Sequence, residues 1–173
     1  DHDGYAGHGA SSETVVHRIG EDIEADETAL VLEYQVKGRD FKQAGTASSR
    51  LKRTLQRLGV PPQVVRRVAI ASYEAELNLV VFTDGGTIRA SVRPDAVSLD
   101  VDDDGPGIAD LEKALQPGYS TAEEWVRKLG FGAGMGLTNI RKSSDSFDIQ
   151  SRPGRGTHLK VAFFTKENHD EAS

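Results

Sequence analysis

Four motifs in the second half of the chain have the residue types of a nucleotide site. Glu74 and Asn78 lie four residues apart, and the segment 103–107 (Asp-Asp-Gly-Pro-Gly) follows a run typical of a β-strand. A glycine-rich run spans 130–136, and the segment 154–157 (Gly-Arg-Gly-Thr) precedes the last apolar run. In this order the motifs offer a magnesium ligand with a general base, a hydrogen-bond acceptor for a nucleobase, a glycine-rich backbone that can bind phosphate, and a hydroxyl.

Glu74 and Asn78 have the spacing that places two side chains on one face of a helix. An asparagine oxygen suits magnesium that is shared with phosphates, and a glutamate can take a proton from water or a hydroxyl. Such pairs are also common on solvated helix faces. Here the neighbours are mostly apolar, which predicts that the pair is partly enclosed: Ala75, Leu77, Leu79, Val80 and Val81. An enclosed carboxylate needs a partner or a function.

Asp103, Gly105 and Gly107 form the second motif. A carboxylate at a strand end can accept a hydrogen bond from an exocyclic amino group such as that of adenine. The glycines allow the backbone to turn tightly and to approach a flat ring. The same residues also make a good turn, so this motif alone leaves both interpretations open.

Gly132, Gly134 and Gly136 alternate directly before a helix that begins at Leu137. The N–H groups of a glycine-rich backbone and of a helix N-terminus bind phosphate oxygens. The run is not a P-loop, because no Lys-Ser or Lys-Thr follows, and no strand directly precedes it as in a dinucleotide fingerprint. Thr157 either belongs to a simple hairpin or adds a hydroxyl near the adenine end of the site.

Periodicity and turn signals predict the elements that must position these motifs. We predict, in chain order, strand 29–36, a helix capped by Asp40 and ending near Leu58, helix 62–82, strands 87–92 and 97–101, helix 135–144, and strands 147–151 and 158–164. Helices before and between such strands indicate an α+β fold. We expect a two-layer α/β sandwich in which helices cover one face of a mixed, mostly antiparallel sheet.

The net charge of −6 arises at the ends of the chain. Residues 1–28 hold eight carboxylates against one arginine, and 165–173 hold three carboxylates against one lysine. We therefore expect an acidic, weakly structured segment at 1–28, one domain at 29–164 and a polar tail at 165–173. The domain keeps 16 carboxylates and 19 lysines and arginines, a balance that argues against a nucleic-acid partner.

No apolar run approaches the roughly 20 residues of a membrane-spanning helix, so no membrane association is expected. The chain has no cysteine, and its first residues do not have the pattern of a secretory signal. Both observations favour a cytoplasmic protein.

Together the four motifs resemble those of the GHKL superfamily, which includes gyrase-type ATPases, heat-shock-ninety chaperones, MutL proteins, histidine kinases and anti-sigma serine kinases. The resemblance covers roughly 29–164 and implies a Bergerat ATP-binding fold. It implies that Asn78 binds Mg²⁺, that Asp103 holds the adenine amino group, and that residues 108–131 form a lid over ATP. The remaining ATP contacts that it implies come from the three glycine motifs: Gly105, Gly107, Gly132, Gly134, Gly136, Leu137 and Thr157.

Within this superfamily the sequence is most similar to bacterial anti-sigma factor and switch-protein serine/threonine kinases. Such proteins use Mg-ATP to phosphorylate a Ser or Thr on a STAS-domain antagonist, and they bind a sigma factor or another switch protein. By this analogy Glu74 is the catalytic base that activates the substrate hydroxyl.

Two other functions stay open at this stage. Phe82 stands where related motifs often have a histidine, which keeps open a non-catalytic, ATP-dependent binding switch. The catalytic domain of a histidine kinase would need a helical hairpin with a phospho-acceptor histidine, for which His17 is the upstream candidate. The oligomeric state is also open, a homodimer included.

Overall fold

The computed structural model describes residues 14–19, 29–103, 105, 107, 111–120, 122 and 136–166. The described residues form six strands and four helices: β1 (Thr14–Ile19), β2 (Leu30–Lys37), α1 (Thr46–Arg57), α2 (Pro62–Phe82), β3 (Gly85–Val92), β4 (Ala96–Asp103), α3 (Leu111–Ala114), α4 (Gly136–Ser143), β5 (Ser146–Arg152) and β6 (Gly156–Phe164).

The six strands form one sheet in the order β1-β5-β6-β4-β3-β2. All pairings between the described strands are antiparallel. Helix α2 packs between α1 and α4 and also contacts strands β2, β3, β4 and β6. The α+β sandwich expected from the sequence is therefore confirmed, with a sheet that is antiparallel throughout its described pairs.

The core lies between the sheet and the helices because each element presents an apolar face at its own period. Along β4, Val97, Leu99 and Val101 belong to the core cluster, whereas Asp100 and Asp102 point to the opposite face. Helix α2 is buried on several sides since it lies in the middle of the helix layer. Among the described helices, none combines the length and the apolar character that crossing a membrane requires.

The predicted start of the first helix is wrong. Asp40 is not its N-cap, since α1 begins at Thr46 and its N-cap residue is Gly45, which has no side chain to cap with. The cap is instead supplied by Glu76 of α2, whose Oε1 accepts hydrogen bonds from the N–H groups of Gly45 at 2.9 Å and Ala47 at 3.0 Å. Its Oε2 accepts from the N–H of Ser48 at 2.8 Å. A distant carboxylate thus satisfies the donors that a local cap would otherwise serve.

Strand β1 was not predicted, and it lies inside the acidic segment 1–28. It pairs with the outer edge of β5, with Thr14 opposite Ser151 and Ile19 opposite Phe147. The short run Thr-Val-Val-His-Arg-Ile has β-branched residues, but it is too brief and too polar at its flanks to indicate a strand without its pairing partner.

The sheet face opposite the helices carries a histidine between two carboxylates. On β6, Nε2 of His158 lies 3.5 Å from an oxygen of Asp100, and Nδ1 contacts Asp102. Hydrogen bonding to Asp100, together with the contact to Asp102, outweighs desolvation and raises the pKa of His158 to about 9. The imidazolium of His158 therefore bridges Asp100 and Asp102, which are two residues apart on the same face of β4.

The Glu76 cap predicts a large loss of stability on truncation. Glu76 is 1% exposed, so Glu76→Ala leaves three backbone donors without their acceptor. We expect the free energy of unfolding to fall by about 3–5 kcal/mol, measured by urea denaturation. Glu76→Gln keeps one acceptor oxygen and should lose less. As a control, Glu33→Gln on the exposed face should change it by less than about 1 kcal/mol. Equal effects of Glu76→Ala and Glu33→Gln would contradict the cap.

The His158 contacts predict a pH-dependent stability. The folded-state pKa of about 9 exceeds the ordinary value of 6.5, so the folded chain binds more protons between these limits. The stabilisation is complete below about pH 6.5 and is lost as the pH rises through about 9. Unfolding free energies of the wild type should therefore fall over this range more steeply than those of His158→Gln. Parallel pH profiles of the wild type and His158→Gln would refute the raised pKa of His158. Because the ring is partly exposed to solvent, the difference in unfolding free energy between the two proteins is small.

Candidate active site

The described residues of the sequence motifs converge on one end of the sandwich. Strands β4 and β5 end there, β6 begins there, and the C-terminus of α2 leads there into β3. Helix α4 starts beside the same part of α2. The antiparallel topology thus collects motifs that are far apart in the sequence.

Glu74 and Asn78 lie on the side of α2 that faces the start of α4. Both side chains are half-buried. Nδ2 of Asn139 in α4 donates a hydrogen bond to Oε1 of Glu74 at 3.1 Å. The expectation that this pair is partly enclosed is therefore met, and α4 is the element that encloses it.

Gly136, the first residue of α4, lies directly against this pair. A Cβ atom at this position would be 3.1 Å from Oδ1 of Asn78 and 3.3 Å from Oε2 of Glu74. A side chain here would crowd the two oxygens, so glycine lets the start of α4 approach them closely. The N-terminus of a helix, where phosphate oxygens bind readily, therefore lies beside a carboxylate and an amide.

Asp103 lies on the helix-facing side of the sheet, because it continues the alternation of Leu99 and Val101. Its Oδ1 accepts a hydrogen bond from the N–H of Gly105 at 2.8 Å. A carboxylate accepts several hydrogen bonds at once, and an amino group is one of the donors that it can bind. The neighbouring Asp102 faces the opposite side, against His158.

Gly107 and Thr157 both lie beside the end of β5. Gly107 has φ of +75°, and a Cβ there would lie 2.4 Å from the carbonyl oxygen of Arg152, so this close approach requires glycine. Thr157 and Ser151 face each other across β5 and β6, with their hydroxyls 3.0 Å apart. Thr157 also follows the inward alternation of β6, on the same side of the sheet as Asp103.

Thr83 joins the two halves of the site. It caps the C-terminus of α2, where its hydroxyl donates to the carbonyl of Leu79 at 2.7 Å and accepts from the N–H of Gly85 at 2.9 Å. Its side-chain carbons lie 3.2–3.3 Å from where a Cβ of Gly105 would be. The helix with Glu74 and Asn78 is thus packed directly on the turn after Asp103.

The remaining predicted residues are placed as follows. Leu137 is half-buried and its side chain packs against the core, so a phosphate contact from it would involve its backbone N–H. Phe82 is half-buried at the last position of α2. Gly132, Gly134 and most of the predicted lid at 108–131 lie outside the described residues.

The donor set around Asn78 fits a magnesium ion that is shared with a nucleotide. Within the described part of the chain, no group of three or more His, Cys, Asp or Glu side chains could hold a metal by itself. Magnesium commonly takes one or two protein ligands and completes its shell with phosphates and water. The amide of Asn78, close to Gly136 at the start of α4, is suited to that role.

Several residues of this site were missed in the sequence. Asn139 follows Gly136 by three positions and so lies on the same face of α4, a signal that was available. Ser151 and Thr83 gave no such signal, because strand pairing and the α2–β3 turn bring them to the motifs.

Comparison with known proteins gives a match over residues 39–163 to the family described as histidine kinase-like ATPase domain. This range contains α1, α2 and all the predicted site residues. The resemblance to the GHKL superfamily inferred from the motifs is therefore confirmed.

Curated relatives carry the name anti-sigma F factor. The protein of that name from Caldanaerobacter subterraneus subsp. tengcongensis is 32% identical over 106 residues, which are 61% of this chain and 66% of that protein. The one from Thermoanaerobacter sp. (strain X514) is 32% identical over 99 residues, covering 57% and 62%. That from Pasteuria penetrans is 36% identical over 91 residues, covering 49% and 57%.

The chain thus spans somewhat less than two thirds of the length of these relatives. The family match, by contrast, extends over most of the chain and includes both the motifs and the elements that bring them together. The chain belongs to the histidine kinase-like ATPase domain family.

Proposed function

We propose that this protein is a Mg-ATP-dependent serine/threonine kinase of the anti-sigma regulatory type, with its kinase domain at 29–164. The observation that carries the proposal is the cluster of Glu74, Asn78 and Gly136, in which a carboxylate and an amide lie against a helix N-terminus. A base, a metal ligand and a phosphate-binding backbone are the components that phosphoryl transfer needs.

In the proposed reaction, Glu74 takes the proton of a substrate Ser or Thr hydroxyl while the hydroxyl oxygen forms a bond to the γ-phosphorus of ATP. The bond between that phosphorus and the β–γ bridging oxygen breaks, and ADP leaves with that oxygen. Mg²⁺, held by Asn78 and phosphate oxygens, would neutralise charge on the phosphates. The chain's own contribution is to hold Glu74 beside the start of α4, with its Oε2 close to Gly136.

The adenine end of the proposed site lies at the turn after β4. Asp103 would accept a hydrogen bond from the exocyclic amino group, and the Thr157 hydroxyl on β6 would lie nearby on the same side of the sheet. Gly132, Gly134 and the backbone of Leu137 would complete the phosphate cradle, as the superfamily resemblance implies.

The protein substrate in this proposal is a STAS-domain antagonist. Support comes from the relatives, whose name identifies them as anti-sigma factors and therefore as regulators that act through protein partners. The histidine-kinase alternative loses support, because His17 lies in strand β1, which pairs with β5, and not in a helical hairpin. Phe82, at the end of α2 where related motifs often have a histidine, keeps open the second candidate function, a binding switch without phosphotransfer.

The proposed contact between Asp103 and adenine predicts a loss of ATP affinity when the carboxylate is removed. Asp103→Ala removes the acceptor for the adenine amino group and should weaken ATP binding about 10- to 100-fold by calorimetry, the worth of a hydrogen bond to a charged group. The matched control is Asp102→Asn, one residue earlier on the opposite face of the sheet, which should leave ATP affinity within about twofold. Unchanged affinity in a folded Asp103→Ala protein would refute the site assignment.

Glu74→Gln tests the kinase reaction itself. The protein is incubated with γ-labelled ATP, Mg²⁺ and a STAS-domain protein encoded nearby, and acid-stable label on Ser or Thr is measured. Loss of the base should slow transfer about 10²- to 10⁴-fold while ATP affinity is retained. Glu33→Gln, on the exposed face, is the control and should be as active as the wild type.

The other outcomes of this assay separate the alternatives. Acid-labile label on the protein itself would replace the proposal with a histidine kinase. Tight ATP binding that changes partner affinity without any transfer of label would replace it with a binding switch.

A further inference from the structure

Asn139 is a polar residue on α4 that contacts the proposed catalytic base without belonging to any of the four motifs. Its Nδ2 donates to Oε1 of Glu74 at 3.1 Å, across the interface between α4 and α2. The direction of this bond is fixed by chemistry, since a carboxylate accepts and only the amide nitrogen of Asn can donate.

Glu74 is held from two sides by α4. Asn139 fixes one carboxylate oxygen, and the other faces the position where a Cβ of Gly136 would lie, at 3.3 Å. Gly136 and Asn139 are three residues apart and so share one face of the helix. The first turn of α4 therefore restrains one carboxylate oxygen and lies close to the other.

The orientation of α4 is set independently of this contact. Ile140 is fully buried in the core, and the hydroxyl of Thr138 donates to the carbonyl of Leu115 at 3.2 Å. These anchors direct Asn139 at α2 whether or not Glu74 accepts its hydrogen bond. The Asn139 amide is then a fixed donor to which the flexible Glu74 side chain adjusts.

An amide is well suited to this task. It donates a hydrogen bond but neither gives up nor takes a proton near neutral pH, so it orients a carboxylate without competing for the proton that a base must accept. A charged donor such as lysine would instead pair with the carboxylate strongly and reduce its basicity. Oε2 remains the oxygen that lies close to Gly136.

We infer that Asn139 is a positioning residue that sets the orientation of the Glu74 carboxylate and connects it to the N-terminus of α4. Because α4 starts at the proposed phosphate cradle, nucleotide bound at Gly136 and the orientation of the base are coupled through one helical turn. This inference rests on the proposed function, in which Glu74 accepts the proton of the attacking hydroxyl.

The kinetic test uses Mg-ATP hydrolysis by the full chain, with water as the acceptor, so that no partner is needed. Asn139→Leu keeps the size of the side chain and removes the donor, whereas Asn139→Gln retains a donor. We expect kcat of Asn139→Leu to fall about 10- to 100-fold, the usual cost of a misplaced catalytic group, with KM for ATP within about twofold. Asn139→Gln should recover part of kcat.

A double-mutant cycle separates positioning from a general structural effect. In the Glu74→Gln background there is no carboxylate base to orient, so Asn139→Leu should change kcat by less than about twofold. If Asn139→Leu is as active as the wild type, or slows both backgrounds equally, the inference is overturned. A rise in kcat would also overturn it, because Asn139 would then hold Glu74 in an inactive orientation.

A spectroscopic readout tests the contact without any activity. The side-chain NH₂ resonances of Asn139 should shift in Glu74→Gln, and should shift in the wild type when Mg-ATP is added. Ser143→Ala, at the far end of α4, is the matched control and should leave these resonances in place. If ATP binds but neither the wild type nor any variant hydrolyses ATP or transfers phosphate, the proposed kinase function fails. The Asn139 resonances then decide alone whether bound nucleotide is coupled to the Asn139–Glu74 contact. Resonances that respond neither to Glu74→Gln nor to Mg-ATP would overturn the inference.

Discussion

The buried carboxylate of Glu76 is the interaction on which the rest of the architecture depends. It accepts three N–H groups from the start of α1 and therefore fixes α2 both against α1 and in rotation about its own axis. At 3.6 residues per turn, positions 74 and 78 lie on one side of a helix and position 76 on nearly the opposite side. Burying Glu76 toward α1 therefore turns Glu74 and Asn78 toward α4, so that one helix serves the core with one carboxylate and the candidate site with another.

The sheet supplies a second constraint of the same kind, at period two. Asp102 and Asp103 are neighbours in the sequence with different partners, because successive strand residues face opposite sides. Asp102 contacts His158 on the open face, whereas Asp103 accepts the N–H of Gly105 on the helix side. The β4–β6 register also brings Thr157 to the same side as Asp103. A one-residue shift in the register of β4 would move Asp103 to the open face and Asp102 to the helix side, and the site would not form.

Much of this arrangement could be read from local patterns. The α2 helix was predicted with its observed bounds at 62–82, since proline marks its start and apolar residues run through it. The strands on either side of the 93–95 turn were also placed to within two residues or so. Asp40 was assigned as a cap because a local side chain is the usual solution, and the long-range carboxylate of Glu76 replaced it. Strand β1 escaped prediction because its stability comes from pairing with β5 rather than from its own sequence.

The sequence by itself determined the family, the four motifs and the order of the elements from β2 onward that carry them, because these depend on residue type and spacing along the chain. Only the tertiary structure decided which polar residues meet. Asn139 reaches Glu74, Ser151 meets Thr157, and Thr83 packs on Gly105 across gaps that no local period encodes. The physical reason is that helix packing and strand register bring distant residues together, and both are set by burial of the whole core rather than by any one segment.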